Sequence, residues 1–323
     1  MRKILILCAM LLAGGSVGTP AMNEGGAAIV AKAVPLNPRD PARTRIGGLA
    51  YLGGWVLTSA DRRFGGISAL AGDGEDLIAL GDRGGIFRIS PRGNLPPAGR
   101  VIGMLPDGPA GRGRDSESLA RGPGGAYWVG FEGANAIWRY DPGLGRATGH
   151  VAPAVMAGWP RNGGPEALVR LADGRFLVFS EEAKGRVAGS RAALMFAGDP
   201  VAGARADRFD YVPPDGYVVT DAQALPDGRM IVLHRRFTLM DGVSAVISIV
   251  DLAAVRPGAV VRGREIARLA SPMTVDNMEA LAITRDARGA ILWIASDDNF
   301  SSIQRTLLLR FRLDKETAPE AGR

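Results

Sequence analysis

Apolar positions in this chain come in short runs broken by Gly, Pro and Asp, and no stretch sustains a helical period. Trp55–Thr58, Leu77–Leu80, Tyr127–Val129, Ala136–Tyr140, Met230–Leu233, Ala245–Val250 and Thr306–Leu313 are such runs. Runs of this length between turn residues predict strands, and a chain built of them predicts an all-β protein. GGPEALVRLADGRFLVFSEE, Gly163 to Glu182, reads as a hairpin around Asp173-Gly174, because Asp-Gly tolerates the positive φ of a tight turn.

The hairpin recurs. DSESLARGPGGAYWVGFEG starts at Asp115 and NMEALAITRDARGAILWIASDDN at Asn277, with looser copies FGGISALAGDGEDLIALGDRG from Phe64 and DAQALPDGRMIVLHRR from Asp221. Aligning the residue before each small-Leu pair puts Ser68, Glu117, Glu166, Gln223 and Glu279 in one column, spaced 49, 49, 57 and 56 residues apart. A period of this size predicts a single β-propeller with one four-stranded blade per repeat. Between Glu117 and Glu166 the strand candidates are Glu117–Arg121, Gly125–Phe131, Ala136–Tyr140 and Thr148–Met156. Repeat count gives five blades, or six if a longer repeat carries a degenerate one. Closure requires an N-terminal strand, Ile46–Tyr51 or Trp55–Ser59, beside Thr306–Leu313. A β-sandwich gives no reason for five similar hairpins.

Composition narrows the class. With 323 residues, 46% hydrophobic, 45 Gly and 21 Pro, there is enough chain for a large core. The net charge of +6 comes from arginines scattered among acids rather than from a basic stripe, which argues against a nucleic-acid partner. Arg2 and Lys3, the apolar run Ile4–Ala13 and the small residues near Thr19-Pro20-Ala21 read as a secretory signal peptide over 1–21. The run is shorter than the roughly 20 apolar residues a spanning helix needs. The lone Cys8 lies inside it, so the mature chain has no thiol nucleophile, zinc-thiolate site or disulfide framework. The division is then an extended lead-in over 22–44, a propeller over 45–314 and a tail over 315–323. A periplasmic or secreted monomer is expected, without stable membrane insertion.

In a propeller the first strand of each blade is innermost and the second is its antiparallel neighbour. The start of one and the end of the other therefore meet at one mouth of the axial channel. Glu117, Glu166 and Glu279 lie at strand starts, with Ser68 and Gln223 as polar members. Asp82, Glu132, Glu181 and Asp297 lie at second-strand ends, with Arg235 in the fifth place. A single acid there is ordinary, accepting backbone N–H bonds between blades. A ring of them needs compensation, from Arg83, Arg114 and Arg235 or from a hard cation such as calcium, which takes six to eight oxygen ligands.

The G-x-[ES]-[AS]-L openings, GDRG at 81–84, SEE at 180–182, HRRF at 234–237 and DNMEALAI ending at Ile283 resemble the phytase-like propeller family, named for an esterase-like activity of phytase. The resemblance spans roughly Arg45 to Leu313 and implies a secreted propeller related in architecture to calcium-dependent alkaline phytases.

The residue types favour metal-assisted hydrolysis of a phosphate ester or other anionic ester. In that reading Glu117, Glu166, Glu279 and Asp297 hold calcium, and Arg83, Arg114 and Arg235 bind the small anionic substrate. Glu181, Asp82 and His234 are the catalytic candidates. His150 and His234 are the only histidines, and no G-x-S-x-G elbow is present, which disfavours a serine esterase; zinc is disfavoured for want of nitrogen and sulfur ligands. Few lysines are available to grip a multiply phosphorylated ring. The alternative is a non-catalytic periplasmic ligand-binding or scaffold propeller with a structural metal, its ligand met by a face such as 186–191. Intact-mass measurement of protein from the periplasmic fraction is expected to show a chain lacking residues 1–21; a membrane-bound species retaining Met1 would overturn this.

Overall fold

The computed structural model describes residues 26–314 except 94, 112 and 113. The signal peptide and the 315–323 tail fall outside the described residues. Among these, strands and short 3-10 turns make up the regular structure, and no helix is long and apolar enough to cross a membrane.

The strands form five antiparallel meanders. The first is β4 (Ile67–Asp73), β5 (Asp76–Gly81), β6 (Gly85–Arg92) and β7 (Leu95–Met104). The second is β8 (Ser116–Arg121), β9 (Tyr127–Phe131), β10 (Ala136–Tyr140) and β11 (Ala147–Val151). In the third, β12 (Pro165–Arg170), β13 (Phe176–Lys184), β14 (Arg191–Phe196) and β15 (Ala206–Val212) are joined by β19 (Val260–Arg262), which runs parallel to β15. The fourth is β16 (Val218–Ala224), β17 (Arg229–Thr238), β18 (Gly242–Asp251) and β20 (Arg264–Ala270). The fifth is β21 (Met278–Asp286), β22 (Gly289–Ser296) and β23 (Leu307–Leu313), completed by β3 (Leu49–Ser59) from the other end of the chain.

The central strands are buried on both faces: Phe176 to Ser180 are all inaccessible, which is why they read as unbroken apolar runs rather than as an alternation. The buried residues fall into five clusters, each between two neighbouring meanders. Leu80 and Ile86 of the first, for example, meet Val129, Phe131 and Tyr140 of the second. Leu70 and Phe87 of the first meet Trp293 and Leu308 of the fifth. The inner strands accordingly stand side by side, β4 next to β8, β8 to β12, β12 to β16, β16 to β21 and β21 to β4.

β3 pairs with β23 so that Leu307 faces Val56 and Leu313 faces Leu49. The lead-in contributes more than a lead-in: β1 (Ala28–Ala33) pairs with β3 on one side and β7 on the other, linking the outer edges of the last and first meanders. The two-residue β2 (Arg45–Ile46) folds back on β3. In the second meander the last strand ends at Val151, and Ala154–Met156 is a 3-10 turn instead of its continuation. Removing residues 45–59 would bare β23 and strip β1 of its main partner. Such a deletion is expected to abolish the cooperative melt seen by circular dichroism, and a truncated protein that melts like the full chain would refute the arrangement.

Candidate functional site

The inner strands share one irregularity at their first residues. Ser116 faces Phe131 but Ser118 faces Gly130, so Glu117 is the extra residue of a β-bulge. The same slip falls at Glu166 between Pro165 and Ala167, at Glu279 between Met278 and Ala280, and at Ser68 between Ile67 and Ala69. A bulge re-aims the side chain it carries, and here it turns the acids of β8, β12 and β21 toward the axis. In the fourth meander the slip falls at Thr220, between Val219 and Asp221. Gln223 is therefore misplaced by the repeat alignment; Thr220 is its true counterpart and donates to the carbonyl of Met278 at 3.1 Å. Ser68 likewise donates to the carbonyl of Ser116. These two hydroxyls tie inner strands together where the other three copies present an acid.

Toward the end of each second strand, one residue past it for Asp82, Glu132 and Asp297 and within it for Glu181 and Arg235, comes the other column. The amides of Asp82, Glu132, Glu181 and Asp297 donate to the carbonyls of Gly66, Asp115, Gly164 and Asn277, each two residues before a bulge. Arg235 takes the matching place opposite Val218. Glycine is required at two of these seams. Gly66 has φ +61 and a Cβ there would lie 2.4 Å from Asp82 Oδ1; Gly163 has φ +94 and a Cβ there would lie 2.4 Å from Glu182 Cγ. The Gly163 amide also donates to Glu132 Oε1.

The columns converge on a cavity of about 310 Å³. Among the described residues nine carboxylates line it, from Asp82, Asp115, Glu117, Glu132, Glu166, Glu181, Glu182, Glu279 and Asp297, with one guanidinium, that of Arg235. Arg235 Nη2 donates to Glu181 Oε1 at 2.8 Å and Nη1 to Asn277 Oδ1 at 3.2 Å, while Nε lies 2.9 Å from Glu279 Oε1 as an ion contact without hydrogen-bond alignment. Glu279 Oε1 also accepts from the Asn277 side chain at 2.9 Å. Carboxylate oxygens of Asp115, Glu117 and Glu132 lie within 4.8 Å of one another, and so do those of Glu132, Glu166 and Glu181.

Burial, with the charge of neighbouring acids added, pushes Asp82, Glu117, Glu166, Glu181, Glu279 and Asp297 toward their protonated forms. Asp82 rises to about 6, chiefly through burial, with Asp115 and Asp298 adding to it. Asp297 rises to about 7 through burial and the charges of Asp82 and Asp298, and Glu279 to about 8 through burial that Arg235 only partly offsets. Glu117 and Glu166 lie well above the ordinary carboxyl range for the same two reasons, burial first.

All four acids expected to hold metal, Glu117, Glu166, Glu279 and Asp297, line the cavity, as do Asp82, Glu181 and Arg235. Three expected residues do not. His234 is fully buried between the third and fourth meanders, its Nε2 2.8 Å from the Tyr211 hydroxyl and its Nδ1 3.1 Å from the Val246 carbonyl; burial lowers its pKa to about 4. A neutral imidazole with both nitrogens engaged in the core is no catalyst for this cavity. Arg83 is exposed and stacks over the Phe300 ring at 3.7 Å, and Arg114 donates to the Leu105 carbonyl. Neither lines the well. Asp115, Glu182, Asn162 and Asn299 do line it without having been expected. Asp115 stands in a column where the other copies carry Gly66, Gly164, Val218 and Asn277, so the repeat gave no cue to it. Arg186, in the loop expected as a ligand-binding face, is bound to Asp210 and to the Gly258 carbonyl.

A family model described as "Phytase-like: Esterase-like activity of phytase" matches residues 62–300. The chain belongs to this phytase-like family. The match takes in every strand from β4 to β22, and with them both carboxylate columns of the phytase-like chain. Solved structures similar to it include a Myxococcus xanthus glutaminyl cyclase, 10% identical with a TM-score of 0.44, covering 78% of this chain and 92% of that one. A Staphylococcus aureus virginiamycin B lyase is 11% identical with a TM-score of 0.40, over 88% and 99%. A luciferin-regenerating enzyme is 12% identical with a TM-score of 0.42, over 80% of each chain. Likenesses this distant say nothing of what the chain binds or does. No curated protein matches it.

The raised carboxyl values fix a pH dependence. A carboxyl with a folded pKa above its unfolded value, near 4, favours the folded state at low pH, and that advantage is lost as pH rises from the unfolded value through the folded one. For Asp82, Asp297 and Glu279 the folded limits are about 6, 7 and 8. In chelator the melting temperature is expected to fall between pH 5 and pH 8, and a flat profile across that window would show that the acids are already compensated.

Proposed function

We propose that this protein is a secreted, calcium-dependent hydrolase of a phosphate ester or other anionic ester, working at the acidic mouth of a closed five-bladed propeller. The observation that carries the reading is the charge imbalance of the cavity, nine carboxylates against one guanidinium among the described residues. An anion has no place in such a well until cations occupy it. The five meanders, with inner strands adjacent in sequence order and β3 completing the fifth, support the propeller. The signal-like N-terminus supports secretion.

The donor set fits a hard cation. It consists of oxygens, its carboxyls are forced toward protonation when nothing neutralises them, and the two triads share Glu132. Glu117, Glu132 and Glu166 would hold the ion, with Asp115 and Glu181 beside them; Glu279 is held by Arg235 and Asp297 stands across the well. Bound there, calcium supplies positive charge for the substrate's oxygens and makes a nearby water more acidic.

The chain's own groups supply the rest. Arg235, oriented by Glu181, Glu279 and Asn277, is the guanidinium of the wall that can meet a substrate anion. Asp82 accepts from the Arg83 amide through Oδ1 at 2.6 Å, which leaves Oδ2 to take a proton from water. With a pKa of about 6 it is ionised at neutral pH yet basic enough for that transfer. Arginine pairing does not account for these acids, since Arg235 engages two of the nine described; a structural metal would serve a scaffold equally, and turnover separates the two readings.

Purified protein assayed with and without calcium against phosphomonoesters, phosphodiesters, carboxyl esters and lactones is expected to hydrolyse an anionic ester only with calcium. Calcium at a hundredfold excess over its dissociation constant should stabilise the fold by about 2.7 kcal/mol. Glu166→Gln should lose both the activity and the calcium-dependent melt shift, while melting in chelator at or above the wild type because a buried like charge is gone. Equal wild-type melts in calcium and chelator would sink the metal site.

A further inference from the structure

A second hollow, of about 570 Å³, opens beside the acidic cavity and shares Arg235, Glu279 and Asn299 with it. Its chemistry is different. Phe237, Val243 and Ile303 contribute its apolar walls, and Phe237 is 64% exposed and Ile303 90% exposed. Phe237 lies two residues beyond Arg235 on β17, and side chains alternate along a strand, so both project from the same face, with Phe237 about 7 Å further out. Directly across the β17–β18 ladder Phe237 faces Val243. The remaining acid of the groove, Asp276, is bonded by Arg305 at 3.2 Å. Beyond the residues shared with the cavity, the groove therefore offers three apolar side chains beside the uncharged Asn277 and Gln304, and its inner end opens onto the acids.

We propose that this groove is a specificity subsite for the organic part of the substrate, so that the preferred substrate is an anionic ester bearing an aryl or short alkyl group rather than a polyphosphorylated polyol. The inference rests on the reading of the adjoining cavity as the place where the anionic group binds. A phosphate or carboxylate seated by cations in the well directs its ester substituent outward along β17, over Arg235 and onto Phe237. A polyol carrying several phosphates would set further anions against Phe237 and Ile303, where no unpaired cation among the described groove residues could neutralise them. Burying a phenyl ring there removes apolar area that water otherwise surrounds, a gain on the order of tenfold in affinity.

The test is calorimetric titration of the full mature chain, with and without calcium, using phenylphosphonate and methylphosphonate, which share the anionic group and resist hydrolysis. Phenylphosphonate is expected to bind about tenfold more tightly than methylphosphonate in calcium. That preference should vanish in Phe237→Ala and shrink in Ile303→Ser. It should persist in the Leu239→Ser, Met240→Ser double variant, whose residues sit on the same hairpin tip outside the groove. Equal affinities in the wild type, no binding of either ligand, or a preference unmoved by Phe237→Ala would overturn the subsite. Phenyl preference without turnover of any ester would uphold the groove while removing the hydrolase. Turnover without phenyl preference would do the reverse.

Discussion

Repulsion between like charges at one axis is the constraint to which the rest of this molecule answers. A ring of antiparallel meanders brings the start of every inner strand and the end of every second strand to the same mouth, so whatever the repeat places there is multiplied around the axis. Carboxylates so multiplied cannot all stay ionised away from bulk water without partners. Arg235 is the one built-in answer: it takes the fifth place in a column otherwise made of Asp82, Glu132, Glu181 and Asp297, and binds Glu181 on one side and Glu279 on the other. Its reach divides the well into a neutralised sector and an uncompensated one formed by Glu117, Glu132 and Glu166.

In the uncompensated sector the repulsion is met by protonation of Glu117 and Glu166 rather than by an arginine. Glu117 and Glu166 sit on bulges locked between paired residues, and Glu132 is held by the Gly163 amide. A well whose acids could swing into solvent would shed its strain. This one holds its acids on the bulges and favours protons on them, so any cation that entered would have to displace those protons.

Much of this was legible in the sequence because repetition carries position. The second-strand column was read off correctly at all five places, Arg235 included, since each residue directly follows a strong apolar run. The inner column failed at one copy. The fourth meander lacks a leucine after its bulge at Thr220, and Ala224-Leu225, near the far end of β16, imitated the motif. His234 failed for a different reason: a histidine beside Arg235 is one residue out of register with the mouth, and strand alternation sends it to the core against Tyr211. Arg83 and Arg114 have the right charge and neighbourhood, but their directions are set by the remote Phe300 ring and by the Leu105 carbonyl within the same connection, contacts that the repeat pattern does not encode. The parallel strand β19 and the bridging strand β1 are likewise partnerships of remote segments.

The pairing of β3 with β23 also bears on the order in which the molecule assembles. Joining β3 to β23 closes a loop that takes in most of the described chain, a contact of high sequence separation that slows folding. Four meanders can form from neighbours in sequence, but the fifth waits for the N-terminal segment to arrive at its outer edge. Glu279 and Asp297 belong to the β21–β22 hairpin of that fifth meander, so their side of the acidic well is backed by the outer pairing of β3 with β23 rather than created by it.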